Sequence, residues 1–202
     1  MNELDSVRAL EALRSWVTHN PMFQGVQVVA DEYSDGSLMD EVVQLMLAVA
    51  QQAPANADVQ VVLGVLYNVS QDYDGAVECY RRAFALRPDD YSLYNKLGAT
   101  LANSNKSNEA LAVYNRAIEM RPAYARGWLN MGISHANLSQ YEESAKSYIR
   151  ALHLTPTAKH IWGYLRVVLT NLDRLDLAEL SGQEDTVALA EALGVDLSSL
   201  GF

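Results

Sequence analysis

Small, apolar and aromatic residues recur along this chain of 202 residues with a period of 34. Three consecutive stretches, 57–90, 91–124 and 125–158, align without a gap. The positions that they share are Gly64, Gly98 and Gly132, Tyr80, Tyr114 and Tyr148, and Ala83, Ala117 and Ala151. Proline keeps nearly the same spacing, at Pro21, Pro54, Pro88, Pro122 and Pro156. Self-similarity at a fixed period of this length is the signature of a protein built from stacked repeats.

Within a repeat, the apolar residues have helical spacing and form two separate stripes. In the stretch 125–158 the pattern predicts one helix from about Ala125 to Leu138 and a second from about Tyr141 to Leu154. The proline that follows ends the second helix, because its ring cannot supply the next backbone donor. Glycine and alanine recur where the two helix axes must come close together. An aromatic residue, a glycine, a small residue, a second aromatic residue and a proline at these offsets resemble the tetratricopeptide repeat.

The predicted fold is all-α: a tetratricopeptide-repeat superhelix, or α-α solenoid, with a C-terminal capping helix. Four parts are expected along the chain, namely 1–21, 22–56, 57–158 and 159–202. In that order they are the second helix of a truncated repeat, a degenerate repeat or hinge, three complete repeats, and a first-type helix followed by the capping helix. The capping helix is expected at about Glu184–Leu193.

The N-terminal flank departs from the repeat in two places. A first helix would be expected over Met22–Gly36, but four residues interrupt it: Gly25, Asp31, Asp35 and Gly36. A second-type helix from about Leu38 to Gln51 should follow, with Ser37 as its cap. The helix around Ala9–Val17 also has the offsets of a second helix, with no first helix before it. Its apolar face leads us to expect further repeats ahead of it.

Charge and composition exclude several classes of protein. The 25 acidic and 15 basic side chains give a net charge of −10, which repels the phosphates of nucleic acids. The single cysteine, Cys79, cannot build a disulfide framework or a zinc site and is predicted to be a small buried side chain. No stretch reaches the roughly 18 uninterrupted apolar residues of a membrane span, so a soluble protein is expected. The four histidines are scattered over different predicted helices. We therefore expect no cofactor, no metal and no enzymatic activity.

Candidate binding residues break the repeat on the first helices of the second and third complete repeats. Their spacings, i, i+4, i+8 on one helix and i, i+4, i+8, i+11 on the other, place each set on one helix face. On the two helices in turn they are Asn95, Ala99 and Asn103, with Lys96 beside them, and Arg126, Asn130, Ser134 and Asn137. Asparagine is a mediocre helix former, and its amide can hold the backbone of an extended peptide. The two cations suit a carboxylate. Asn103 and Asn137 could equally be helix C-caps.

The residues around these candidates are similar to a known family. NKLGATLAN at Asn95–Asn103 and ARGWLNMGISHAN at Ala125–Asn137 resemble the C-terminal repeats of the type 1 peroxisomal targeting signal receptors, the peroxin 5 family. DVQVVLGVLYNVSQDYD at Asp58–Asp74 and IWGYLR at Ile161–Arg166 resemble the same family. The resemblance implies a cytoplasmic receptor that binds C-terminal targeting peptides of cargo proteins, of the Ser-Lys-Leu type. It also implies cycling to docking proteins on the peroxisomal or glycosomal membrane.

The resemblance assigns roles to the candidate residues. The asparagines Asn95, Asn103, Asn130 and Asn137 would hold the peptide backbone, Ala99 and Ser134 would shape the pocket, and Lys96 and Arg126 would face the terminal carboxylate. Two other functions stay open. A co-chaperone module that binds the acidic tail of a chaperone needs cations on successive first helices, where this chain has Val61, Asn95 and Leu129. A scaffold with no peptide groove is the second.

Overall fold

The computed structural model describes residues 3–26 and 35–200, and helices joined by short turns make up most of this part. In chain order the α-helices are α1 (Glu3–His19), α2 (Leu38–Gln52), α3 (Ala57–Val69), α4 (Tyr73–Leu86), α5 (Tyr91–Asn103), α6 (Ser107–Met120), α7 (Ala125–Asn137), α8 (Tyr141–Leu154), α9 (Lys159–Asn171), α10 (Leu175–Leu180) and α11 (Thr186–Leu193). No β-strand occurs among the described residues, and the predicted all-α class is confirmed. The chain forms two compact units, Met1–Pro88 and Asp89–Phe202. The four-part division of the sequence stays a prediction.

The close approach of the two helices in each repeat is made by one pair of residues. Gly132 of α7 lies against the ring of Tyr148 in α8, so closely that a Cβ added to the glycine would be 2.6 Å from two ring atoms. The same contact joins Gly98 to Tyr114 and Gly64 to Tyr80. All three tyrosines are buried. The recurring glycine is therefore the residue that admits the recurring tyrosine, as the pattern predicts.

The turns between the paired helices repeat one backbone geometry. The first helices of four repeats are each followed by a residue other than glycine in the left-handed conformation; these residues are Gln71, Asn105, Ser139 and Asp173, with φ between 55° and 66°. In the turn after α7, the Ser139 and Gln140 N–H groups donate to Ala136 and His135 carbonyls at 2.9 Å each. These bonds satisfy carbonyls at the helix end in the manner of a Schellman motif. The sequence alone did not indicate this conformation, because glycine is its usual marker.

A tryptophan side chain links the start of α7, and likewise of α9, to the proline before it. Trp128 donates its indole N–H to the carbonyl of Pro122 at 2.8 Å. Trp162, which is 34 positions later, makes the same bond to Pro156 at 3.5 Å. A buried indole N–H needs such a partner. The bond ties the first turn of each new first helix to the proline that ends the preceding repeat.

The first unit contains α1 to α4. The hydroxyl of Ser37 accepts the N–H of Asp40 at 3.1 Å, so the predicted cap of α2 is confirmed. Ahead of it, the expected helix over Met22–Gly36 is replaced at its start by one 3-10 turn, Pro21–Phe23. Gly25 and Gly36 have φ values of +84° and +71°, which a helix does not accommodate. The prediction that Asp31 also interrupts this helix falls in residues 27–34, which lie outside the described residues.

The core of the first unit is apolar and includes the single cysteine. It is formed by Val17, Phe23, Val42, Met46, Val49, Leu63 and Cys79. Cys79 is 5% exposed, and burial raises the pKa of its thiol to about 11. The prediction that this cysteine is a small buried side chain is confirmed.

The second unit contains α5 to α11, and its core runs from α7 to the C-terminal helices. Buried side chains of α8 and α9 meet those of α10 and α11 in one cluster, which includes Ile149, Leu152, Leu165, Leu169, Leu177 and Leu189. Asp185 caps α11, accepting the N–H groups of Val187 and Ala188 at 3.0 Å each. The short helix α10 was not expected from the sequence, whose repeat pattern fails near its end. Within the part of the chain that the structure describes, no helix is both long enough and apolar enough to cross a bilayer.

Replacing Gly132 with alanine should lower the free energy of unfolding by about 1–3 kcal/mol, because the new methyl group would lie 2.6 Å from two atoms of the buried Tyr148 ring and the packing must shift to admit it. The matched control is Gly163→Ala in α9, where an added Cβ meets nothing within 4 Å. That change should stabilise by roughly 0.5–1 kcal/mol through helix propensity alone. Urea unfolding followed by circular dichroism measures both, and equal effects at the two sites would contradict the glycine–tyrosine contact.

Candidate functional site

All eight candidate residues lie in the second unit, on α5 and α7. These two first helices contact one another directly. Arg126, Asn130 and Asn137 lie on the side of α7 that turns away from Gly132, since each is roughly 120–160° from the glycine at about 100° per residue. The structure therefore brings the two predicted sets together on adjacent first helices.

A direct hydrogen bond joins the two sets. The amide nitrogen of Asn130 donates to the amide oxygen of Asn95 at 3.0 Å. Asn95 is only 5% exposed, and Asn130 is half-buried. An asparagine amide offers two N–H donors and one carbonyl acceptor, so this pairing uses part of the capacity of each residue. It also fixes the orientation of both amides, which is needed if either is to meet a ligand in one defined geometry.

The other uncharged candidates differ in exposure. Asn103 and Asn137 are exposed and are the last residues of α5 and α7, while the caps are Ser104 and Leu138. Ala99 is half-buried in the middle of α5. Asn137 and Asn103 are thus placed where a ligand can reach them.

Ser134 is fully buried, with no exposed surface. Its hydroxyl makes no hydrogen bond of acceptable geometry in the described part of the chain, but it lies near the hydroxyl of Tyr114 in the preceding repeat. Burial raises the pKa of Tyr114, and the neighbouring serine hydroxyl acts in the opposite direction. Ser134 therefore packs between two repeats beneath the surface, and any influence on a ligand is exerted through the neighbours it supports.

The first helices of the second unit carry net positive charge. The sequences of α5, α7 and α9 contain no aspartate or glutamate, although the whole chain carries 25 acidic side chains. Their Lys and Arg residues are Lys96, Arg126, Lys159 and Arg166. Among the described residues, neither Lys96 nor Arg126 is paired with a carboxylate. This face is therefore suited to a ligand that brings its own negative charge.

An aromatic and arginine cluster adjoins Arg126 and was not foreseen from the sequence. Tyr91 and Tyr124 meet edge to face with ring centroids 4.9 Å apart. Arg121 lies over the ring of Tyr91, 4.9 Å from its centroid, and also donates to its hydroxyl. Burial raises the pKa of Tyr124, and the positive charge of Arg126 opposes that rise. The 34-residue spacing of Arg87 and Arg121 is the one signal in the sequence that points to this cluster.

A second feature that the sequence did not allow us to predict is a groove between α7 and α9, which we call the α7–α9 groove. Its volume is about 340 Å³. Ile133, Ala136 and Asn137 line it from α7, and Tyr164 and Val167 line it from α9. Val167 is 61% exposed. In the sequence, the groove is indicated only by the fact that Val167 and Ile133 are apolar residues at the same position of successive repeats, 34 residues apart.

Sequence comparison identifies related proteins of two kinds. The family described as the cilia and flagella-associated protein 70 C-terminal domain matches residues 25–186. The peroxisomal targeting signal 1 receptor of Dictyostelium discoideum is 40% identical over 110 residues, which cover 50% of this chain and 17% of the receptor. The peroxisomal targeting signal receptor of Eremothecium gossypii is 39% identical over 112 residues, 54% of this chain and 19% of the receptor. The chain thus spans less than a fifth of these two relatives.

Solved structures confirm the tetratricopeptide fold. MamA from Desulfovibrio magneticus RS-1 superposes with a TM-score of 0.67 at 19% identity, covering 77% of this chain and 88% of MamA. The first tetratricopeptide domain of Spaghetti (RPAP3), bound to the HSP90 peptide SRMEEVD, superposes with a TM-score of 0.56 at 25% identity. That match covers 58% of this chain and 93% of the RPAP3 domain.

The hydrogen bond between Asn95 and Asn130 should be measurable without any ligand. A double-mutant cycle of Asn95→Ala and Asn130→Ala should give a coupling of about 0.5–1.5 kcal/mol in the free energy of unfolding. Asn137→Ala, which removes an exposed amide from the same helix, should change stability by less than about 0.5 kcal/mol. A cycle with no coupling would mean that the two amides do not hold each other in solution.

Proposed function

We propose that this chain, which belongs to the tetratricopeptide-repeat family of the cilia and flagella-associated protein 70 C-terminal domain, binds the C-terminal tails of other proteins. One observation carries the proposal: α5 and α7 place a hydrogen-bonded pair of amides, two exposed amides and two cations on helices that lack acidic side chains. Amides hold a peptide backbone whatever its side chains are, and cations attract a carboxylate such as the one at a chain end. No step of this function requires a catalytic residue or a cofactor.

The finer proposal is that the tail is a targeting signal of the Ser-Lys-Leu type and that the chain is part of a peroxisomal or glycosomal import receptor. Its support is the 39–40% identity to two peroxisomal targeting signal receptors over half of this chain. In this function Asn103, Asn130 and Asn137 contact the peptide backbone, and Lys96 and Arg126 attract its carboxylate. Asn95 holds Asn130 in place from beneath, since it is nearly buried. Ala99 leaves room for the peptide, and Ser134 supports the helix packing below it.

The same proposal implies partners and a location. A receptor of this kind would take cargo in the cytoplasm and carry it to docking proteins at the peroxisomal or glycosomal membrane. Nucleic acid is not a proposed partner, because a net charge of −10 opposes its approach.

A co-chaperone function is the second candidate, and two observations favour it. The RPAP3 domain that superposes on this chain binds a peptide ending in Glu-Glu-Val-Asp. The cations on α5, α7 and α9 would also attract an acidic tail. Against it, the repeat position of Asn95 is occupied by valine at Val61 and leucine at Leu129, so successive first helices do not align cations at that position.

Peptide binding distinguishes these functions. The 202-residue chain is titrated with a fluorescent ten-residue peptide ending in Ser-Lys-Leu, with a free or an amidated C-terminus, and fluorescence anisotropy is recorded. We expect binding of the free acid and at least a roughly tenfold loss on amidation, since the amide removes the charge that meets Lys96 and Arg126. Tighter binding of SRMEEVD would favour the co-chaperone function. Equal binding of acid and amide, or none, would refute recognition of a chain end.

Asn137→Ala should weaken binding of the Ser-Lys-Leu peptide by about threefold to tenfold, the value of one lost hydrogen bond, while leaving the unfolding transition in place. Asn95→Ala should weaken it by about 5- to 150-fold, because it releases the amide of Asn130 as well. The matched control is Asn108→Ala on α6, an exposed asparagine of the same unit outside the site. Unchanged affinity in both site variants would refute the assigned residues even if the peptide binds.

A further inference from the structure

The α7–α9 groove continues the row of amides on α7. Asn137 belongs to both: it lines the groove, and it lies at i+11 from Arg126 on the same helix face. A peptide held by the amides of α7 therefore meets the groove without a change of surface. Tyr148 of α8 also lines the groove, whereas the two first helices that form its walls, α7 and α9, contain no acidic residue.

The lining of the groove is suited to an apolar side chain. Ile133 and Val167 supply aliphatic walls, and Tyr164 lies beside the ring of Tyr148 with centroids 6.0 Å apart. Tyr164 is 44% exposed, and Val167 is exposed further. Exposed apolar side chains that together form a concave surface are commonly covered in a complex. The volume of about 340 Å³ is ample for a leucine or phenylalanine side chain.

The distance from Arg126 gives the position of that side chain in the peptide. Eleven residues of α-helix at 1.5 Å each separate Arg126 from Asn137 by roughly 16 Å. An extended peptide advances about 3.3 Å per residue. A peptide whose carboxylate lies at Arg126 and which follows α7 therefore reaches the groove about five residues before its C-terminus.

We propose that the α7–α9 groove is a second specificity site, which takes an apolar side chain located about five residues upstream of the C-terminus of the bound tail. This inference rests on the proposed function, because it presumes that a tail occupies the amide row. Tails with leucine or phenylalanine at that position bind more tightly than tails with a polar residue there.

A leucine walk tests the proposal on the whole chain. The peptides are ten residues long, end in Ser-Lys-Leu and are otherwise composed of alanine, serine and glutamine, with a single leucine placed at each of positions four to eight from the C-terminus. Anisotropy titration should show a gain of roughly fivefold or more when the leucine is near the fifth position and little gain elsewhere. A gain that is the same at every position, or no gain, would overturn the proposal.

Charge placed in the groove should remove that gain. Val167→Asp should abolish the preference for leucine while leaving the affinity of the leucine-free peptide within about twofold. The matched control is Val187→Asp on α11, also in the second unit, where the valine is 51% exposed and does not line the groove. The control should keep the full gain. Because Val167 is exposed, its variant should retain the helical circular dichroism of the parent, and this is checked first.

The outcomes separate the two proposals. If the leucine-free peptide binds but neither the walk nor Val167→Asp has an effect, the groove proposal fails and the proposed function stands. If no peptide with a free C-terminus binds, both fail. If the chain without peptide associates with itself in sedimentation, and Val167→Asp abolishes the association, the groove is an interface between two copies and the specificity site is refuted.

Discussion

The contact between a glycine in each first helix and a tyrosine in its partner is the constraint on which the repeat depends. A glycine in a helix interior costs about 1 kcal/mol relative to alanine, and this chain accepts that cost at Gly64, Gly98 and Gly132. In return, the ring of Tyr80, Tyr114 or Tyr148 is buried against helix backbone. The contact commits one side of α7 to its own repeat. The exposed residues on the opposite side, Arg126 and Asn137 among them, are not needed for this contact.

Acidic side chains are also distributed unequally between the first and second helices. The acidic side chains of the second unit lie on the second helices, in turns and near the C-terminus, whereas α5, α7 and α9 carry none. A protein with a net charge of −10 gains solubility from its negative surface. The acid-free helices keep one face from repelling an anionic ligand, and this face also holds the ordered amide pair. The combination favours a chain end over an internal segment, because only a chain end supplies a backbone carboxylate.

The repeat period was sufficient to predict the helices, since Gly, Tyr, Ala and Pro are chosen by local packing that recurs in every unit. It was not sufficient for the contacts between neighbouring repeats. Asn95 and Asn130 are 35 positions apart, so their hydrogen bond joins residues that do not align in the repeat. Likewise, Ser134 shares its helix face with exposed residues but is buried by Tyr114 of the preceding repeat. The left-handed backbone conformation of Ser139 could not be predicted, because the residue that usually indicates it is glycine.

Burial of Asn95 changes how the site is understood. From side-chain identity alone, all four asparagines are expected to have the same role, which is to hold the peptide backbone. With 5% of its surface exposed and its carbonyl bonded to Asn130, Asn95 has little area left for a ligand. Under the proposed function its role is preorganisation: an amide whose orientation is already fixed loses less entropy when it binds than one that must be ordered at that moment. A buried asparagine at this position therefore fits the proposed binding of a chain end, because an aliphatic side chain in its place would fill the space without orienting Asn130.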